Sequence, residues 1–458
     1  MSSPLPTSNA EQPTVDDFLE HVVLSGILGR EQLIEAVATA PADMKAREHP
    51  AGALADFLIK TGKLSRYQAR KLLRGTYRGL VLGPYQILAP LGKGGMGTVY
   101  LVRDARNGQL AALKILSSRK AREQGRARTR FLREMELSKR VLHPNLALTY
   151  EAGTLQDVYY IAMEFIPGKS LYRVVQEGGP LPAARAARLL AEAASALEYA
   201  HAQGLIHRDL KPSNVMVTPN DHAKVLDLGL AFEQGEKADV EVVGGYGYIV
   251  GTMDYISPEQ SLDPTNVDAR SDIYSLGCTL YYALSGQPPF PGGTSGEKRQ
   301  RHRTEEPTPL GQLRPGLPPP FVDVVQRMMA KDPVLRPPTA RVAREQLLAW
   351  AKQDTTLPMD RPGDTNYRIA VAALKDMAAD GDLPDDIPLA TVAADGEAAT
   401  SRGEATRSFG PRLPPVTSEA RPAQPPWVLL AVILGIPAIV VALSFCLAAV
   451  VWLVFGRQ

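Results

Sequence analysis

Apolar residues recur along this chain in three rhythms. From residue 15 to about 78 they are spaced as on short helices punctuated by glycine: Phe18, Val22 and Val23 follow Asp16 and Asp17, which can cap a helix, and Leu72 and Leu73 follow a capping Ser65. Ser25-Gly26-Ile27-Leu28 aligns with Thr61-Gly62-Lys63-Leu64, Gln32 with Gln68 and Val37 with Leu73, an offset of 36 residues. This predicts a small all-α unit of two similar helix-turn-helix halves, although any two capped helical hairpins would look alike. Tyr85 to Leu91 and Thr98 to Val102 read instead as strands of a hairpin around a glycine-rich loop. The third rhythm is continuous: Trp427 to Phe455 runs 29 residues without a charge. A bilayer core needs about 20 apolar helical residues, so this run predicts a membrane span, kinked or shortened at Pro437, with Trp427 and Trp452 near the two interfaces. Residues 1–14 form a polar tail, and 353–426, rich in Pro, Ala, Asp and Glu, predict a flexible linker with local helix around Tyr367 to Ala378.

Composition narrows the function. The 458 residues allow two or three domains, and 51 Lys+Arg against 49 Asp+Glu leave a net charge of only +2, unlike a dominant nucleic-acid binder. Two basic runs, Arg119 to Arg130 and Lys298 to Arg303, read as solvated faces, the second alternatively as a docking surface for acidic substrates. Cys278 and Cys446 cannot build a disulfide framework, so a reducing compartment is expected for the soluble part, and the N-terminus lacks the basic and apolar regions of a signal peptide.

The chemistry lies in between. Gly92-Lys93-Gly94-Gly95-Met96-Gly97 lets the backbone approach phosphate oxygens, and strand-like Val99 and Tyr100 follow it where a dinucleotide fold needs a helix. Ala112-Leu113-Lys114 supplies an ammonium within reach of those phosphates. His207-Arg208-Asp209-Leu210-Lys211-Pro212-Ser213-Asn214 and Asp227-Leu228-Gly229 then supply an acid for a substrate hydroxyl, a lysine, and an amide with a second acid for Mg²⁺. Phosphoryl transfer from ATP uses these parts together.

In this order the motifs resemble the Hanks-type (eukaryotic-like) serine/threonine protein kinases, including bacterial ones, over about residues 83–350. The resemblance implies an α+β bilobal fold with a sheet-rich N-lobe, a helical C-lobe and ATP between them. It makes Asp209 the catalytic base, Lys211 the residue steadying the γ-phosphate, Asn214 and Asp227 the Mg²⁺ ligands, and Lys114 the α,β-phosphate lysine paired with Glu134; Glu136 and other acids lie close by. Leu91, Gly92, Lys93, Gly94, Gly95, Met96, Gly97, Val99 and Ala112 would line the nucleotide, with Met163 as gatekeeper and the backbone of Glu164 and Ile166 holding adenine. Lys211 favours Ser/Thr over Tyr acceptors. Ser257-Pro258-Glu259 stands where the family usually has Ala-Pro-Glu, Glu259 should pair with Arg336, Asp272 should brace the catalytic loop, and His207 should be a packed core residue. Leu228 replaces the usual Phe without losing the apolar contact. Alternative readings are a non-catalytic scaffold of the same fold and a small-molecule kinase.

Membrane topology follows from the need for cytosolic ATP: a single-pass protein of the cytoplasmic membrane with its kinase domain in the cytoplasm, acting on protein substrates, with a homodimer conceivable and no nucleic-acid partner. From Leu230 to Gly251 there is no Ser or Thr, so the usual activating phosphothreonine cannot form there. Either one of Glu233, Glu236, Asp239 and Glu241 pairs with Arg208 in its place, or Tyr246 phosphorylation or a partner orders the segment; Thr252 is expected to serve catalysis through its hydroxyl.

Overall fold

The computed structural model describes residues 13–45, 50–93, 97–116, 132, 141–155, 158–226, 232–233, 253–264 and 266–351. All of them fall in one compact unit, residues 1–396. The chain opens with four helices, α1 (Val15–Ser25), α2 (Arg30–Ala38), α3 (Gly52–Lys60) and α4 (Arg66–Leu73), and α4 repeats α2 at the predicted offset. Ser65 caps α4 as expected, but α1 is capped by Thr14. Asp17 sits one turn in and accepts the Thr14 amide, completing a capping box, while Asp16 lies in the first turn. Acids are favoured anywhere in a first turn by the helix dipole, so sequence alone does not separate the cap from the residues that follow it. Phe18, Val22, Leu54, Leu58 and Leu72 are fully buried in a cluster that also takes in Leu80.

Six strands follow: β1 (Val81–Leu82), β2 (Tyr85–Lys93), β3 (Thr98–Asp104), β4 (Leu110–Leu116), β5 (Thr149–Leu155) and β6 (Val158–Glu164). They form one antiparallel sheet ordered β1-β2-β3-β4-β6-β5. Alternation gives it two faces. Tyr85, Ile87, Tyr100, Val102, Leu113, Ile115 and Tyr160 pack on one, and Tyr67 of α4 packs against them.

The second lobe contains β7 (Lys169–Ser170), α5 (Leu171–Gly178), α6 (Ala183–Ala202), β8 (Leu205–Ile206), β9 (Val215–Val217), β10 (Ala223–Val225), β11 (Phe232–Glu233), α7 (Pro258–Leu262), α8 (Arg270–Ser285), α9 (Ser295–Thr304), α10 (Leu310–Leu313), α11 (Pro319–Met328) and α12 (Ala340–Leu348). Helix α8 is buried from Ser271 to Leu284, which makes it the central helix of this lobe. Gly277 lets α11 cross it closely, since a Cβ there would stand 2.9 Å from Met328 Cβ. The β9–β10 hairpin is bolted to α6. Arg188 donates to the Asp221 carbonyl at 2.6 Å, Arg185 binds the Asp221 carboxylate, and Glu192 accepts the Ala223 amide at 2.6 Å.

The predicted division into a sheet-rich and a helical lobe is therefore observed. Among the described residues no helix is long and apolar enough to cross a membrane; the run 427–455, the linker 353–426 and residues 1–12 of the predicted tail 1–14 lie outside them. The last two residues of that tail are ordered against the helices, Thr14 as the cap of α1 and Pro13 as acceptor of the Ala51 amide.

Candidate active site

Register gathers the predicted nucleotide residues. Gly92 pairs with Val99, Val99 with Lys114, and Lys114 with Ile161, so one row crosses four strands. Ala112 lies two residues before Lys114 and pairs with Met163. Residues opposite each other, or two apart on one strand, share a face, so Val99, Ala112, Lys114 and Met163 line the same side of the sheet. Lys114 and Ala112 are buried. Gly97 has its own reason to be glycine: a Cβ there would stand 2.1 Å from the Ile115 carbonyl oxygen. The neighbouring strand excludes a side chain, whatever the loop binds.

Below the sheet, residues 207–214 form a loop between β8 and β9. Lys211 Nζ donates to Asp209 Oδ2 at 2.7 Å, and Asn214 Nδ2 donates to the Asp209 carbonyl at 2.9 Å. Lys211 thus holds one oxygen of the Asp209 carboxylate, and among the described residues the other, Oδ1, accepts no hydrogen bond. The loop is strained where it turns, because Arg208 has φ 64°, a left-handed conformation costly for a residue with a side chain. Four contacts hold it. Asp272 accepts the amides of His207 and Arg208, each at 2.8 Å, Gln260 Nε2 donates to the Arg208 carbonyl at 2.8 Å, and Arg208 Nη1 donates to the Pro264 carbonyl at 3.0 Å.

Asp272 is fully buried. Burial alone would raise its pKa, but the hydrogen bond and charge of His201 at 2.7 Å, together with the Arg208 amide, bring it below the usual carboxylate value. His207 is fully buried, and its ring is held at both nitrogens: Nδ1 accepts the Asp209 amide at 3.3 Å and Nε2 bonds the Leu226 carbonyl at 3.0 Å. It is a core residue, as predicted. Glu259 and Arg336 form the expected pair, bidentate at 2.6 and 2.8 Å, and Arg336 also donates to the Ala330, Arg270 and Lys331 carbonyls.

A family model for the protein kinase domain matches residues 85–348. The chain belongs to the protein kinase family. The serine/threonine-protein kinase PknB of Mycobacterium leprae is 36% identical over 268 residues, 58% of this chain and 42% of that protein. PknD of Mycobacterium tuberculosis is 34% identical over 299 residues, 64% of this chain and 44% of that protein. The chain thus spans less than half the length of these curated relatives. The solved PknI kinase domain of Mycobacterium tuberculosis is 28% identical, covering 60% of this chain and 98% of that one, with a TM-score of 0.47.

Of the two residues expected to hold a divalent cation in this kinase domain, Asn214 is described and its chemistry fits one. The Asn214 amide nitrogen is used on the Asp209 backbone, which leaves its oxygen for a metal, and oxygen is the donor Mg²⁺ prefers. Gly94, Gly95, Met96, Glu134, Asp227, Tyr246 and Thr252 lie outside the described residues, as do Glu236, Asp239, Glu241 and the side chain of Glu233. The end of β6, where the hinge is expected, holds a contact that no motif announced. The Glu164 carboxylate binds Lys224 Nζ of β10 at 2.7 and 2.8 Å and accepts the Leu148 amide at 3.3 Å, so it is turned towards the C-lobe. Beside it, Leu142, Pro144, Leu146, Tyr150 and Ile166 line a cavity of about 460 Å³. The basic run on α9 is only partly a solvated face: Lys298 pairs with Asp254 at 2.6 Å, and His302 is fully buried.

Proposed function

We propose that this chain is a membrane-tethered protein kinase that transfers the γ-phosphate of ATP to serine or threonine hydroxyls of proteins. The arrangement of Asp209, Lys211 and Asn214 on one braced loop carries the reading. The open Oδ1 of Asp209 orients the acceptor hydroxyl and takes its proton as the oxygen attacks the γ-phosphorus; the bond to the β,γ-bridging oxygen breaks and ADP leaves. Lys211 fixes the carboxylate through Oδ2 and brings positive charge to the γ-phosphate. Lys114 holds the α- and β-phosphates from the roof, with Glu134 as its partner. Asn214 and Asp227 would hold Mg²⁺, which when bound neutralises phosphate charge. Val99, Ala112 and Met163 pack against the adenine, which the backbone of Glu164 and Ile166 reads, while Leu91 to Gly97 cover the phosphates. Thr252 supports the acceptor side of the site, and Tyr246 occupies the place of the usual activating threonine.

The uncharged run 427–455 supports a single-pass tether in the cytoplasmic membrane, with the kinase domain on the side where ATP is found. Purified protein is expected to phosphorylate Ser or Thr of a generic protein substrate with MgATP. Asp209→Asn should lower kcat by at least about a hundredfold while ATP still binds. Equal rates for the two proteins in a radiolabelled phosphate-transfer assay would refute the assignment.

A further inference from the structure

The outer face of the kinase sheet is covered by the N-terminal helices, and the contact falls on the strand that leads into the glycine-rich loop. Strand β2 is irregular against β3, with register shifts between Ile87 and Ala89 and between Pro90 and Gly92. Such a shift takes backbone groups out of the ladder and bends the strand. Helix α4 takes up the carbonyls at the first of these shifts. Gln68 Nε2 donates to the Ile87 carbonyl at 2.9 Å, and Ser65 Oγ donates to the Leu88 carbonyl at 2.6 Å.

The same two side chains cap α4. Gln68 Oε1 accepts the Ser65 amide at 2.8 Å, and Ser65 Oγ accepts the Gln68 amide at 3.1 Å. Each side chain therefore uses one polar function on its own helix and another on β2, and Gln68 is only 1% exposed. Gln86 Nε2 adds a bond from β2 back to the Ile27 carbonyl at 3.1 Å, so both helical halves touch this strand. From Leu88 the strand runs directly to Leu91, Gly92 and Lys93, the residues that open the phosphate-covering loop.

We propose that Ser65 and Gln68 are positioning residues for ATP: by fixing the bend of β2 from behind the sheet, they set the height of the glycine-rich loop above the nucleotide. This rests on the kinase reading above. The helical unit is then a working part of the nucleotide-binding lobe, and a force on it reaches the phosphates through one strand. The duplication supplies a control, because Gln32 occupies the corresponding place on α2 and accepts the Gly29 amide at 3.1 Å in an exposed setting.

The test uses the full chain. Gln68→Glu keeps the acceptor for the Ser65 amide and, ionised at the assay pH, has no hydrogen to donate to the Ile87 carbonyl, whereas Gln32→Glu makes the same change away from β2. In steady-state assays Gln68→Glu should raise KM for ATP by about fivefold with kcat within about twofold, and Gln32→Glu should match wild type. Should a buried carboxylate prevent folding, Ser65→Ala should give the same KM shift and Ser65→Thr, which retains a hydroxyl, should restore it. MgATP should raise the melting temperature of wild type more than that of Gln68→Glu or Ser65→Ala. Folded Gln68→Glu or Ser65→Ala protein with wild-type KM for ATP overturns the proposal. A wild type that neither responds to MgATP nor transfers phosphate overturns the kinase reading, and this inference with it.

Discussion

Arg208 and Gly97 show at the scale of single residues how the site depends on atoms that never touch substrate. The left-handed Arg208 persists because Asp272 and Gln260 hold both of its peptide groups. Gly97 is fixed by a strand neighbour, and this separates it from Gly92, where a Cβ would meet nothing within 4 Å. Gly97→Ala must push β4 away and should cost about 1–3 kcal/mol. Gly92→Ala should stay within about 0.5 kcal/mol. Denaturant melts of the two variants would check this, and similar losses in both would contradict the geometry. The loop motif gives all its glycines one shared reason, closeness to phosphate. That Gly97 has a second one was not legible, because it depends on which carbonyl the register brings alongside. Asp209, Lys211 and Asn214, close together in the chain, could be read from spacing. Lys224, 60 residues from Glu164, could not.

Helix α9 carries an element-scale lesson. Its composition reads as a basic, solvated helix, yet His302 faces inward, hydrogen-bonded to the Tyr274 hydroxyl at 2.9 Å and stacked edge-on with Phe290. Burial, with added repulsion from Lys331 and Lys298, pushes its pKa down to about 3. An unfolded imidazole takes up a proton near pH 6.5, well before the folded one. The stability this group contributes is therefore complete above pH 6.5 and is lost as pH falls from there towards 3, by about 2 kcal/mol at pH 5. Urea denaturation at pH 7.5 and pH 5 should show that loss in wild type and a smaller one in His302→Gln; parallel pH dependence in both would remove His302 as the cause. Elements with a strong period, such as the strands flanking the glycine loop and the helices after Ser65, were visible in the sequence. The burial of one face of α9 was not, since a single inward histidine among arginines leaves no period to read.

At the scale of the whole molecule, the expected tether makes location a property of the last stretch of chain. Full-length protein should fractionate with membranes, and removal of residues 427–458 should release an active kinase into the soluble fraction. In right-side-out vesicles external protease should leave the kinase domain intact. Digestion from outside, or a truncated protein that still sediments with membranes, would count against this topology. The order of lobes along the chain was legible because the motifs follow one another in it; the docking of the helical unit on β2 was not, because it uses a serine and a glutamine already accounted for as a cap. That docking has a consequence for synthesis. The two bonds from α4 join residues only 19 and 23 apart, whereas Asp272 reaches back 65 residues to His207 and Arg336 reaches 77 to Glu259. Closing a longer loop costs more chain entropy, and a nascent chain meets its short-range partners first. The helices are complete at Leu73, before β2 begins at Tyr85, so the strand that leads into the glycine-rich loop leaves the ribosome to find a finished surface waiting to shape it.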